Sequence, residues 1–166
     1  MTLEPLLSAP PLVLAHVLTV VPAAVLGAAL LAGRKGTLWH KRCGRIWIGL
    51  MAATALISLF IHETRGFYGF SLIHLLSLLT LSGCWQVVSA ARRGDVRAHR
   101  RHVLSLNIFA ILGAGLFTLV PGRRMHAVVF TGPVSVPVML ALGLAIGLFA
   151  LGLLRLRRLA RRPRSI

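Results

Sequence analysis

The chain has 166 residues, 57% of them hydrophobic, and a net charge of +16 from 19 Lys and Arg against three acidic residues. The apolar residues fall in runs of about 20, the length that crosses a bilayer's hydrocarbon at about 1.5 Å per residue, which excludes a soluble domain. The charge sits in short stretches between those runs and not on one face, which excludes a nucleic-acid-binding surface; three carboxylates are too few for a two-carboxylate hydrolase or a carboxylate proton pump.

Met1-Thr-Leu-Glu4 lacks a basic n-region and does not read as a cleaved signal peptide, so the first apolar run is expected to stay as a span. Span 1 covers Pro11 to Ala32, with His16 a short way in and Pro22 mid-span, where a proline predicts a kink. A basic loop, Gly33 to Gly44, holds Trp39 and His40. Span 2 covers Arg45 to Ile61 and is followed by His62-Glu63-Thr-Arg65 and the interfacial aromatics Phe67, Tyr68 and Phe70. Span 3 covers Phe70 to Ala91, with His74 near its start, and leads into a basic loop with Asp95 and His99. Span 4 covers His102 to Val120 and stops at Pro121-Gly122. After a link containing Arg123, Arg124 and His126, span 5 covers Val136 to Leu154, and a tail from Arg155 to Arg164 carries six arginines suited to anionic lipid headgroups.

Orientation follows from the Lys and Arg count. The loop between spans 1 and 2 holds five, the loop between spans 3 and 4 holds five and the tail holds six, against Arg65, Arg123 and Arg124 on the other side. The positive-inside rule then puts the N-terminus outside and the C-terminus in the cytoplasm, which an odd number of spans requires. Cys43 is cytoplasmic on this topology and Cys84 lies in a span, so no disulfide is expected between them.

The chain also echoes itself. Leu14-Ala-His-Val-Leu-Thr-Val-Val21 returns as Leu72-Ile-His-Leu-Leu-Ser-Leu-Leu79, and Ala32-Gly-Arg-Lys-Gly36 returns as Ala90-Ala-Arg-Arg-Gly94, both at an offset of 58. His40-Lys-Arg42 returns as His99-Arg-Arg101 after a one-residue slip. The predicted fold is therefore an all-α polytopic membrane bundle of five transmembrane helices in one domain, 1–166. Its first four helices form two parallel-oriented hairpin repeats, about 11–62 and 70–121, related by an axis along the membrane normal. The fifth helix, about 136–154, stands outside the symmetry, and its Gly143-x-x-x-Gly147 pair allows close packing within the chain or between two copies.

The repeat sets His16 opposite His74 near the outer face and His40 opposite His99 near the inner face. Ionisable groups within spans are expensive and usually functional. Two neutral imidazoles facing each other across a bundle can clamp a haem iron, which makes His16 and His74 candidate axial ligands of a b-type haem, with His40 and His99 as a second pair. Competing readings are a structural histidine that hydrogen-bonds a neighbouring helix, and a metal, quinone or proton role. Gln86 and Asn107 read as hydrogen-bonding glue between helices. No nucleophile elbow, phosphate loop, CxxC or HExxH is present. The leading functional expectation is haem-b electron transfer; the alternative is a small-solute transporter or an accessory membrane subunit.

His16, His40, Ala98-His-Arg-Arg-His102 and above all Ala114-Gly-Leu-Phe-Thr-Leu-Val-Pro-Gly-Arg-Arg124 resemble a family of small bacterial multi-pass proteins, the domain of unknown function numbered two-three-zero-six. The resemblance runs from span 1 to the link after span 4 and implies a bacterial inner-membrane location. It implies no activity. It adds His16, His40, His74, His99 and Arg123 as positions of interest and leaves Cys43 and His102 outside the pattern.

Overall fold

The computed structural model describes residues 4–61, 72–119 and 123–130, and among these every regular element is helical. A short turn, α1 (Glu4–Leu7), precedes α2 (Pro11–Ala32), α3 (Leu38–Leu59) and α4 (Leu72–Arg92). Then come α5 (Val96–Ser105), a π-helical stretch (Leu106–Gly113), α6 (Ala114–Thr118) and α7 (Arg124–Phe130). Four helical segments are long and apolar enough to cross a membrane: Pro11–Ala32, Leu38–Leu59, Ile73–Arg92 and Val96–Thr118. The fifth span expected at 136–154, the Gly143 and Gly147 pair and the arginine tail lie outside the described residues.

Helix ends explain where the spans differ from expectation. Pro11 opens α2 at a position that tolerates proline, and the helix runs through Pro22 to Ala32. Gly36 turns the chain with φ of 82°, and Thr37 caps α3 by accepting from the His40 backbone N–H at 3.1 Å. The second long helix therefore starts seven residues before Arg45, and His40 lies in its first turn and not in a loop. Lys41, Arg42 and Arg45 are exposed, as long cationic side chains at a helix end are when they reach for the interface.

The link between α4 and α5 is built the same way and more tightly. Asp95 N–H bonds Ala90 C=O at 3.0 Å and Gly94 N–H bonds Ala91 C=O at 3.2 Å, a Schellman closure with Gly94 at φ 71°. Asp95 then caps α5, its carboxylate accepting from Ala98 N–H at 2.8 Å. This places the start of the fourth long helix at Val96 and not His102, and puts His99 in its first turn. Gly36 and Gly94, and the caps Thr37 and Asp95, are each 58 residues apart.

The chain forms two compact units, residues 9–99 and residues 1–8 with 100–166. In the first, α3 is the middle helix and packs along both α2 and α4. Ala23 and Gly27, one turn apart on α2, are buried, and small residues at such spacing let backbones approach closely. On α3 the buried stripe is Cys43, Trp47, Met51, Thr54, Ala55 and Ser58. On α4 it is His74, Ser77, Thr80, Cys84, Val87 and Ala90, while Leu75, Leu78, Leu79 and Trp85 are exposed. A helix with hydroxyls and an imidazole inside and leucines outside has the polarity of a bilayer-facing element, the reverse of a water-soluble one. In the second unit α1 packs on α7 and α6 on the π-helical stretch. There the Arg123 guanidinium lies 4.6 Å from the Phe117 ring centroid, and His126 stacks on Phe130 at 4.8 Å.

Candidate functional site

The four histidines singled out by the repeat all belong to the unit formed by residues 9–99. His16, at the start of α2, meets Ser58, at the end of α3: its Nδ1 is 2.8 Å from the Ser58 hydroxyl oxygen. His40, at the start of α3, is close enough to His99, just beyond α4, for a charge on one to act on the other. The His99 ring nitrogen Nδ1 in turn lies 3.1 Å from the Val87 carbonyl of α4. Neighbouring helices in this unit therefore run antiparallel. One end carries His16, the end of α3 and the start of α4 with His74; the other carries His40 and His99.

The Ser58 contact couples a serine proton to the His16 tautomer. A serine hydroxyl has one proton to donate. Ser58 gives it to the Thr54 carbonyl of its own helix, at 2.8 Å. With the Ser58 proton on Thr54, the remaining short contact runs the other way, His16 Nδ1–H donating to the Ser58 oxygen. A neutral imidazole protonated on Nδ1 keeps its lone pair on Nε2, and a fixed acceptor on the far ring nitrogen is the usual arrangement behind a ligating histidine. His99 has the same form, because a carbonyl can only accept, so Nδ1 donates to Val87.

His74 is 4% exposed, and its Nε2 is sealed within the protein. It stands one turn from Ser77, which donates to the Ile73 carbonyl at 2.8 Å. Thr19, its counterpart beside His16, lies 2.9 Å from the His16 carbonyl and 3.1 Å from the Ala15 carbonyl, and donates to its own backbone as well. Each histidine is thus followed by a hydroxyl that bonds its own backbone, leaving the imidazole to interact elsewhere.

No family model matches the chain, and neither does any curated protein or solved structure.

At one end of this unit stand His16, held through Nδ1 by Ser58, and His74, a second buried imidazole. They do not form a compact metal site: among the described residues no group of three or more His, Cys, Asp or Glu is placed to hold a metal ion. Cys43 and Cys84 are both free and buried. Asn107 spends its amide on the Val103 carbonyl of its own helix, at 2.9 Å. Ser58 and Thr54 are the site residues that the histidine pattern alone does not reveal. Their signal is a hydroxyl pair at i and i+4, on the side of α3 opposite the exposed Ile46, Leu56 and Phe60.

Proposed function

We propose that the chain is a bacterial inner-membrane protein of five spans that holds haem b through His16 and His74 and passes electrons. It belongs, on this reading, with the small multi-pass family whose motifs it resembles, and its first four spans are two copies of one hairpin. The single observation that carries the reading is the His16–Ser58–Thr54 relay, which holds an intramembrane histidine by Nδ1 and leaves Nε2 out of that contact. His74, buried at the same end, supplies the second imidazole. Haem bound there would supply a one-electron couple. The chain's own part is to orient His16 through Ser58 and to hold His74 buried at the same end.

The orientation rests on charge. Lys35, Lys41, Arg42, Arg45, Arg92, Arg93 and Arg97 stand exposed around the turns that close α2 to α3 and α4 to α5, so these turns face the cytoplasm and the His16 and His74 end faces out. The test is a reduced-minus-oxidised spectrum of protein purified from haem-replete cells. A sharp α-band is expected from the wild type and its loss from His16→Ala and His74→Ala, while His40→Ala keeps it. A folded wild-type sample without an α-band defeats the proposal.

A further inference from the structure

We infer that the buried stripes of α3 and α4 hold a file of water that starts at the His16 and His74 end and stops at Trp47. The inference does not depend on haem. Buried polar side chains are unevenly placed along these two helices. Thr54 and Ser58 lie in the last two turns of α3, and His74, Ser77 and Thr80 in the first three turns of α4. Towards the other end, the same stripes bury Met51, Trp47 and Cys43 on α3 and Cys84, Val87 and Ala90 on α4. The polar lining therefore reaches about half-way through the unit from one side.

How these groups use their hydrogens shows what they lack. Ser58, Ser77 and Thr80 each donate at 2.8 Å to the carbonyl four residues back on their own helix. Each oxygen keeps acceptor capacity that faces away from its own backbone. Thr54 Oγ1 and Trp47 Nε1 have no hydrogen-bond partner in the protein, although Thr54 is 8% exposed and Trp47 only 2%. Each such group costs about 1–3 kcal/mol if it stays unpaired in an apolar surround. An indole N–H only donates, so its partner must be an acceptor.

Trp47 and Thr54 are seven residues apart on one stripe, two helical turns, or about 10.5 Å along the axis. Water satisfies both, running past Met51 on the same stripe. At about 2.8 Å per hydrogen-bonded step, about three molecules bridge the gap. An apolar occupant leaves both groups unsatisfied. Half-buried His16, bonded to Ser58, stands at the open end of the file, and the Trp47 indole closes it. Protons thus reach the paired-histidine end from one side of the membrane only.

Trp39 and Trp85 are exposed, so Trp39→Phe and Trp85→Phe leave Trp47 as the sole indole without disturbing the seam. With this protein, 15N-labelled and reconstituted in lipid, exchange of the indole N–H into D2O is followed by NMR. The file predicts a cross-peak to water and exchange within minutes, slowed at least tenfold by Thr54→Val with Thr80→Val. An indole proton that persists for hours in the starting protein shows a dry seam and overturns the inference, whether or not the double variant folds. Direction is tested in a background of Cys43→Ala and Cys84→Ala with a water-soluble thiol reagent. Ser77→Cys should react and Val87→Cys should not; reaction at both, or at neither, overturns the one-ended file.

Discussion

Replacing Ser58 with alanine removes the oxygen that accepts from His16 Nδ1, in a contact 2.8 Å long between α2 and α3. Hydrogen bonds between membrane helices contribute about 0.6 kcal/mol on average and up to about 1.7. The expected loss is about 1 kcal/mol, roughly a fivefold shift of the unfolding equilibrium, read by steric trapping or denaturing-detergent titration. The sharper readout is the ring itself. Selective 15N-histidine labelling of the wild type should show His16 with the proton on Nδ1 and a pyridine-like Nε2. Ser58→Ala should weaken that preference, and Ser58→Thr should restore it. A wild-type ring protonated on Nε2 refutes the assigned tautomer, because Ser58 would then donate to Nδ1 and not to the Thr54 carbonyl. Unchanged stability together with an unchanged tautomer in Ser58→Ala refutes the role of the serine.

Other consequences follow from the turns and from packing. Gly94→Ala puts a β-carbon on a residue at φ 71° with nothing within 4 Å, so its cost is conformational alone; about 1 kcal/mol is expected, less for Gly94→Asn, measured as a thermal shift in detergent. Gly49→Ala, in the exposed interior of α3 with open space around it, should instead stabilise by roughly 0.5–1 kcal/mol in the same assay. Thr37→Ala removes the α3 cap and should cost about 1 kcal/mol, with Thr37→Ser close to neutral. Ala23→Leu forces a large side chain into a position with 0% exposure and should cost about 1–3 kcal/mol by overpacking, seen in the same unfolding titration.

Much of this was legible from residue order because a bilayer imposes a simple rule: long apolar runs become helices. The runs beginning at Pro11 and near Leu72 needed no tertiary information. Helix starts were misplaced where charge was taken for loop. Lys41, Arg42, Arg100 and Arg101 are helical, because Thr37 and Asp95 satisfy the first N–H groups and the long cations extend from the helix end. The slip between His40 and His99 has a structural form as well. Counted from equivalent caps, His40 is the third helical residue and His99 the fourth. The π-helical stretch Leu106–Gly113 leaves no periodic trace in Leu-Asn-Ile-Phe-Ala-Ile-Leu-Gly, where Asn107 is the one strongly polar residue. Ser58 is not legible in the sequence because a hydroxyl carries no mark of its partner; only the meeting of α2 with α3 reveals it.

The inverted polarity of α4 bears on how the protein is made. A helix that carries His74, Ser77, Thr80, Ser82 and Gln86 between its leucines is a weaker candidate to leave the translocon alone than α2, the most apolar of the four long helices. Its polar stripe finds relief in α3, whose own Thr54 and Ser58 need the same cover. The two should partition into lipid as a pair, after α2 has anchored the nascent chain. Truncation after Arg92 should therefore yield an integrated three-helix fragment, whereas α4 expressed behind a neutral carrier should insert poorly.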